Sequence, residues 1–175
     1  MSNQKPLQIA LLGLGTVGTG VAIILRKTAD LLAKRAGRPL RLAKVLYKDP
    51  HKKRETALSP DQLAASLDEI LNDPAIDVVV EVAGGTTWAF DAMASALKHG
   101  KDVVTANKAV LATRGKELFD IARAHRRCVA QSAADATRDR SADRNGRDHP
   151  YPGRAAAHGD RRRRSHRDRL DAARG

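Results

Sequence analysis

Six consecutive residues, Gly13, Leu14, Gly15, Thr16, Val17 and Gly18, carry the first chemical signal in the sequence. Their G-x-G-x-x-G spacing ends one apolar run, "LQIALLGL" (7 to 14), and opens another. In that setting each glycine has a task. Gly13 permits a tight turn out of a strand, Gly15 lets a pyrophosphate approach the backbone, and Gly18 lets a helix pack closely on the strand. The amides of the first helical turn then face the phosphates, and the helix dipole favours their negative charge. The expected ligand is a dinucleotide. A glycine-rich turn without a ligand is the alternative that the spacing alone leaves open.

Three other places bear on which dinucleotide and which chemistry. The second apolar run ends in Tyr47-Lys48-Asp49, followed by Lys52, Lys53 and Arg54. An acid at this point favours a free ribose 2′-hydroxyl, and a base accommodates a 2′-phosphate. Lys48 and the cluster behind it lean towards NADP, while Asp49 leaves NAD open. A solvated loop is the other reading of 51 to 54. Further on, "EVAGGTT" (81 to 87) offers Ala83, Gly84, Gly85, Thr86 and Thr87, small residues with two hydroxyls where a nicotinamide ribose could lie. "TANKA" (105 to 109) sets Lys108 at a strand-to-helix junction. Position alone makes Lys108 a surface residue more readily than a catalytic one. No metal site is expected.

These residues need a frame, and the hydrophobic pattern supplies one. "LQIALLGL" (7 to 14), "LRLAKVLY" (40 to 47), "IDVVVEVA" (76 to 83) and "KDVVTAN" (101 to 107) are short apolar runs suited to strands buried on both faces. Between them, Thr16 to Lys34 places Val17, Val21, Ile24, Leu25, Ala29 and Leu32 at helical spacing, and Gly37 and Pro39 stop that helix. "SPDQLAASLDEIL" (59 to 71) predicts a helix with Ser59 as N-cap and Pro60 at the first position. "TTWAFDAMASALKHG" (86 to 100) predicts another, closed by Gly100, and 108 to 125 a last one broken near Thr113 to Gly115. Strands alternating with helices imply an α/β, Rossmann-like, doubly wound parallel sheet. Each candidate segment then falls at a strand's carboxyl end, where ligands of such sheets bind.

The bulk numbers sharpen this picture. The chain has 175 residues and a net charge of +12, which suggests an anionic ligand or a polyanion partner. One cysteine, Cys128, excludes an intramolecular disulfide framework and fits a reducing, cytoplasmic setting. No apolar run reaches the ~18 residues of a membrane helix, and no signal peptide is expected.

The charge is unevenly spread. Residues 1 to 125 hold 18 Lys and Arg against 13 acids, whereas 126 to 175 hold 14 Arg, no Lys, 7 Asp and no Glu. That second segment has one Val, one Leu and no Ile, Phe or Met. So few core formers cannot offset the chain's entropy, and 126 to 175 is expected to be a disordered basic tail behind a domain of 1 to 125. Three readings of the tail compete. It is a solvated extension, or an arginine-rich arm that contacts nucleic acid on a non-catalytic NAD(P)-binding module, or a segment read out of frame. Arg for every base, Asp for every acid, and abundant Ala, Gly and His match a GC-rich gene translated out of frame. The tail is therefore expected to be frameshifted, and nucleic acid is not the expected partner.

"IALLGLGTVGTGVAIIL" and "DVVVEVAGGTTWAFDAMASALKHGKDVVTANKAVLA", with the spacing between them, resemble the cofactor domain of homoserine dehydrogenase from about residue 8 to 125. The resemblance implies an oxidoreductase that reduces aspartate 4-semialdehyde to homoserine with NADH or NADPH, on the route to threonine, methionine and isoleucine. It implies that Gly13 to Gly18 hold the pyrophosphate, that Lys48 lies near the adenosine ribose, and that Ala83 to Thr87 line the nicotinamide side. Lys108 matches the lysine of the family's T-A-N-K motif, beside nicotinamide and substrate. An ammonium there can stabilise negative charge developing on the aldehyde oxygen. Beyond His125 the family continues into a segment resembling F-E-A-x-V-A-G-G-x-P and a substrate domain. That domain brings an acidic substrate-binding pair, a second lysine, most of the dimer interface and a monovalent-cation site. "RRCVAQSAADATRDRSAD" stands there instead. The chain is expected to be a truncated cofactor-binding fragment, inactive alone, without the family's homo-oligomer interface and with marginal stability.

Overall fold

The computed structural model of the chain describes residues 4–48 and 58–132. Five strands form one sheet in the order β2-β1-β3-β4-β5, and every pair is parallel. They are β1 (Leu7–Leu12), β2 (Leu40–Leu46), β3 (Val78–Glu81), β4 (Asp102–Thr105) and β5 (Val129–Gln131). Central β1 is buried from Ile9 through Leu12, as its unbroken apolar run requires. The helices are α1 (Thr16–Lys27), α2 (Ala29–Ala36), α3 (Leu67–Asn72), α4 (Thr87–Lys98) and α5 (Lys108–Ala124).

Alternate residues of the strands feed two cores. Ala10, Leu12, Val79, Val103 and Val129 point to one face and pack with Ile70, Met93, Leu97, Val110 and Leu118 of α3, α4 and α5. Leu11 and Val45 point to the other and pack with Leu14 and with Ala22 of α1. This is the doubly wound arrangement that the alternating pattern predicts.

Local structure departs from the sequence reading in three places. The helix predicted over Thr16 to Lys34 is two, divided at Thr28, whose hydroxyl donates to the Ile24 carbonyl (2.7 Å) and whose backbone leaves helical geometry (φ −117°, ψ 26°). The helix predicted over 59 to 71 is a single 3-10 turn, Pro60–Gln62, then an extended stretch, then α3. Gln62 accounts for the break. Its Oε1 accepts from the Ser59 amide (3.0 Å) while its Nε2 donates to the Leu42 carbonyl (2.7 Å), so the turn is tied to β2. Leu63 then forms a parallel bridge with Val45, and Ser66 caps α3 by accepting from the Glu69 amide (3.3 Å).

The third departure concerns the segment expected to be disordered from residue 126. Residues 126–132 are ordered, and Val129–Gln131 completes the sheet as β5. Three residues suffice because the backbone, not a set of core formers, holds them. Val103 N donates to Cys128 O (2.9 Å), Ser132 N donates to Thr105 O (2.8 Å), and Asp102 Oδ1 accepts from Cys128 N (2.9 Å). Buried Val129 adds the one apolar anchor. Residues 133–175, and Asp49, Lys52, Lys53 and Arg54, lie outside the described residues. Among the described residues, no helix is long and apolar enough to cross a membrane, and no cluster of His, Cys, Asp or Glu could hold a metal ion.

Candidate functional site

Strand register builds the site's floor. Leu46, Leu12, Glu81, Thr105 and Gln131 pair in turn across the sheet as one row at its carboxyl edge. Immediately after that row, the strands release Tyr47-Lys48, the glycine turn from Gly13, the loop from Val82 to Thr86, and the turn into α5. The strand order reverses between β1's two neighbours, β2 and β3, so the glycine turn sits at a topological switch point.

The glycines differ in what requires them. Gly13 has φ +100°, and a Cβ there would lie 2.6 Å from Ala83 Cα. Only glycine makes this turn, and it does so pressed against the exit of β3. A Cβ on Gly18 would lie 2.1 Å from the Gly13 carbonyl oxygen, so Gly18 is where α1 meets its own incoming strand. Around Gly15 there is nothing within 4 Å of an added Cβ. Among the described residues, nothing demands glycine at that position. A ligand against the backbone would, because a methyl would stand between it and the amides.

Gly15 is also the N-cap of α1, and no side chain caps that helix and no acid lies in its first turn. Side chains cap α3 (Ser66) and α5 (Asn107 Oδ1, accepting from the Val110 amide, 3.2 Å), whereas α2 and α4, like α1, have no side-chain cap. The open N-terminus of α1 is thus suited to an anion brought by a ligand.

The β3 and β4 exits are wired together by a buried carboxylate. Glu81, fully buried, accepts at Oε1 from the amides of Ala83 (2.9 Å) and Gly84 (3.2 Å). Its Oε2 accepts from the Thr105 hydroxyl (2.7 Å), which in turn accepts from the Asn107 amide (2.9 Å). Asn107 Nδ2 closes the circuit by donating to the Gly85 carbonyl (2.6 Å). Gly84 and Gly85 both have positive φ (75° and 76°), so the loop makes a bend that this circuit holds.

The family model for the NAD-binding domain of homoserine dehydrogenase matches residues 13–131. The chain belongs to the homoserine dehydrogenase family. It is 41% identical over 132 residues to the homoserine dehydrogenase of Pseudomonas aeruginosa, an alignment covering 75% of this chain and 30% of that protein. With the Bacillus subtilis homoserine dehydrogenase it shares 43% over 115 residues, 66% of this chain and 27% of that one. The crystal structure of Staphylococcus aureus homoserine dehydrogenase at pH 7.0 superposes with a TM-score of 0.68 at 38% identity, covering 75% of this chain and 33% of that chain. The chain thus spans about 30% of the length of these curated relatives, the part named for nicotinamide-cofactor binding.

Within this homoserine dehydrogenase domain, the residues singled out from sequence converge at the sheet's carboxyl edge. Gly13, Leu14 and Gly18 are buried, while Gly15, Thr16 and Val17 are exposed on the turn. Ala83, Gly84, Gly85 and Thr86 form an exposed loop that leads to exposed Thr87 at the start of α4, and exposed Lys108 is the first residue of α5. Exposed Lys48 lies after β2, on the far side of the glycine turn from Lys108. Sequence reasoning did not single out Glu81, Thr105 or Asn107. The available signal was a charged residue and a hydroxyl at the matched carboxyl ends of two strands, "VVVE" and "DVVT".

Proposed function

We propose that this domain binds NADP, with NAD as the lesser alternative, and forms the cofactor-holding part of a homoserine dehydrogenase that interconverts aspartate 4-semialdehyde and homoserine in the cytoplasm. The observation that carries the reading is the pairing at the switch point: a glycine turn with open space over Gly15, and an α1 N-terminus that no side chain caps. The residues fit the cofactor. The backbone amides that open α1 would receive the pyrophosphate, and Lys48 would meet a ribose 2′-phosphate as a point charge. Ala83 to Thr87 would line the nicotinamide ribose, with the Thr86 and Thr87 hydroxyls as donors or acceptors.

When bound, the nicotinamide supplies or takes a hydride at the substrate carbon. Lys108, at the mouth between the β3 and β4 loops, would present its ammonium to the carbonyl oxygen and stabilise charge developing there. Trp88, the single tryptophan, lies in the first turn of α4 beside Thr87 and reports on the site. Titration with NADPH should quench its fluorescence to saturation. An unsaturated, linear response up to millimolar cofactor would refute the reading.

A further inference from the structure

We infer that Glu81 is a positioning residue for the nicotinamide half of the cofactor site, acting through the two loops it ties together. This deepens the cofactor reading above and rests on it.

Glu81 ends β3 with its carboxylate turned into the α4–α5 face of the sheet, where it is fully buried. A buried carboxylate is costly unless its lone pairs are met by donors. Here three donors meet it, two loop amides on one oxygen and the Thr105 hydroxyl on the other. The arrangement exceeds what the sheet needs. Val79 and Val103, two positions earlier on the same strands and face, hold the strands with apolar contacts alone.

What the carboxylate fixes is the route of the chain after the strands end. It sets the start of the Gly84–Gly85 bend, and through Thr105 it sets the Asn107 amide, one residue before Lys108. Asn107 then returns from α5 to the same bend at Gly85. The loop proposed to line the nicotinamide ribose and the turn that presents Lys108 therefore move as one piece. The adenosine half of the site, Lys48 and the α1 N-terminus, lies outside this circuit.

That partition gives the test. In Glu81→Gln the side-chain amide offers one acceptor and one donor to a pocket holding three donors. Either the Ala83 and Gly84 amides or the Thr105 hydroxyl loses its partner. Calorimetric titration of the full chain with NADPH should weaken about tenfold, the equivalent of one charge-assisted hydrogen bond. Titration with 2′-phospho-ADP, which lacks the nicotinamide and its ribose, should stay within about twofold, since its contacts lie outside the circuit. Thr105→Val should behave like Glu81→Gln, and Thr105→Ser, which restores the hydroxyl, should recover the parent affinity. Should the Glu81 variant fail to fold, Asn107→Ser decides. It keeps a capping hydroxyl for α5, loses the donor to Gly85, and should weaken NADPH alone. Equal losses for both ligands, or unchanged NADPH affinity in these variants, would overturn the inference and leave the cofactor reading standing. A parent chain that binds neither ligand would overturn both.

Discussion

Replacing Gly18 by alanine would put a methyl carbon 2.1 Å from the Gly13 carbonyl oxygen and 2.9 Å from its carbon. That is more than about 1 Å inside van der Waals contact. Gly13 cannot retreat. Its amide donates to Leu46 O (2.8 Å), and its Cα hydrogen side already faces Ala83 at a distance that excludes a Cβ. The strain must therefore move α1, which carries Ala22 and Val21 into the core with Leu11 and Val45. Overpacking of this kind costs about 1–3 kcal/mol, and contact with backbone puts Gly18→Ala at the upper end. For a domain of this size each kcal/mol lowers Tm by roughly 3–5 °C, so the melt followed by circular dichroism should fall by roughly 5–15 °C. Gly15→Ala is the matched control. No atom lies within 4 Å of its added Cβ and φ is −75°, so its cost to the fold is only the weaker capping of α1 by alanine. Its effect should appear in NADPH affinity instead, a loss of about tenfold to hundredfold if a phosphate loses its bond to a backbone amide. Two alanines in one motif should thus give opposite signatures. A Gly18→Ala melt within a degree or so of the parent would refute the packing argument. A Gly15→Ala titration matching the parent would refute the pyrophosphate argument.

Other consequences are open to simpler tests. Lys48→Ala should lower affinity for NADPH while leaving NADH nearly unchanged, and a parallel loss for both cofactors would remove Lys48 from the 2′-phosphate. Arg114 interrupts α5 (φ −130°, ψ 17°) with its guanidinium 3.2 Å from the centre of the Phe90 ring and its nitrogens on Glu117. Arg114→Ala should cost about 0.5–1 kcal/mol in chemical denaturation, mostly the lost stacking on Phe90. The Lys44 ammonium, bonded to Glu69 Oε1 (2.5 Å), and the Ala65 amide hold the Glu69 carboxyl below its ordinary range. Its contribution to stability is present above the unfolded carboxylate range and is lost as pH falls through the lowered folded value. Glu69→Gln should therefore flatten the acid limb of a Tm-against-pH curve, and identical acid limbs would refute the assignment. Burial lowers the Lys101 ammonium against the opposing pull of Asp73 and Asp77. The unfolded chain thus holds this proton more tightly, so the difference in Tm between the parent and Lys101→Met should shift in the parent's favour as pH rises towards the unfolded lysine range.

The order of strands and helices was legible because buried parallel strands read as short apolar runs and their helices as 3.6-residue periods. The break at Arg114 fell within the Thr113–Gly115 window that the pattern indicated. What periodicity cannot register is a side chain that turns back on the chain. Gln62 sits at an ordinary helical position in "SPDQLAASLDEIL", yet its contacts with Ser59 and Leu42 stop the turn after three residues. Composition also misled at the carboxyl end. Counting core formers past residue 126 left out backbone pairing, which needs no particular side chain and which carries Cys128 to Ser132 onto β4. The positions of the candidate site residues followed from strand ends. The Glu81 circuit did not, because its partners are 24 residues apart and meet only through strand register.

The isolated bridge between Leu63 and Val45 shows how little of a doubly wound sheet the site requires. Leu63 lies outside β2, where the sheet order 3-2-1-4-5-6 would place a third strand, and the Ala64 amide donates to Val45 O (3.0 Å) as a strand would. That strand is reduced to one bridge, and the edge is held by the Gln62 side chain on Leu42 instead. The strands that flank the switch point keep their full length at the carboxyl edge. Polar clamps follow the same division. At the amino edge they join side chains to neighbouring backbone: Asp77 Oδ2 to the Gln8 amide (2.8 Å), Lys101 Nζ to Asp73 O (2.6 Å) and Ile76 O (3.1 Å), and Asp102 to Cys128. Each closes one strand or loop onto the next. At the carboxyl edge the clamp is Glu81, and it holds loops rather than strands. The amino-edge clamps therefore join strands, and the carboxyl-edge clamp joins the loops proposed to line the cofactor. Shortening an outer strand costs edge contacts but leaves unchanged the row from Leu46 to Thr105 on which the proposed cofactor cradle stands.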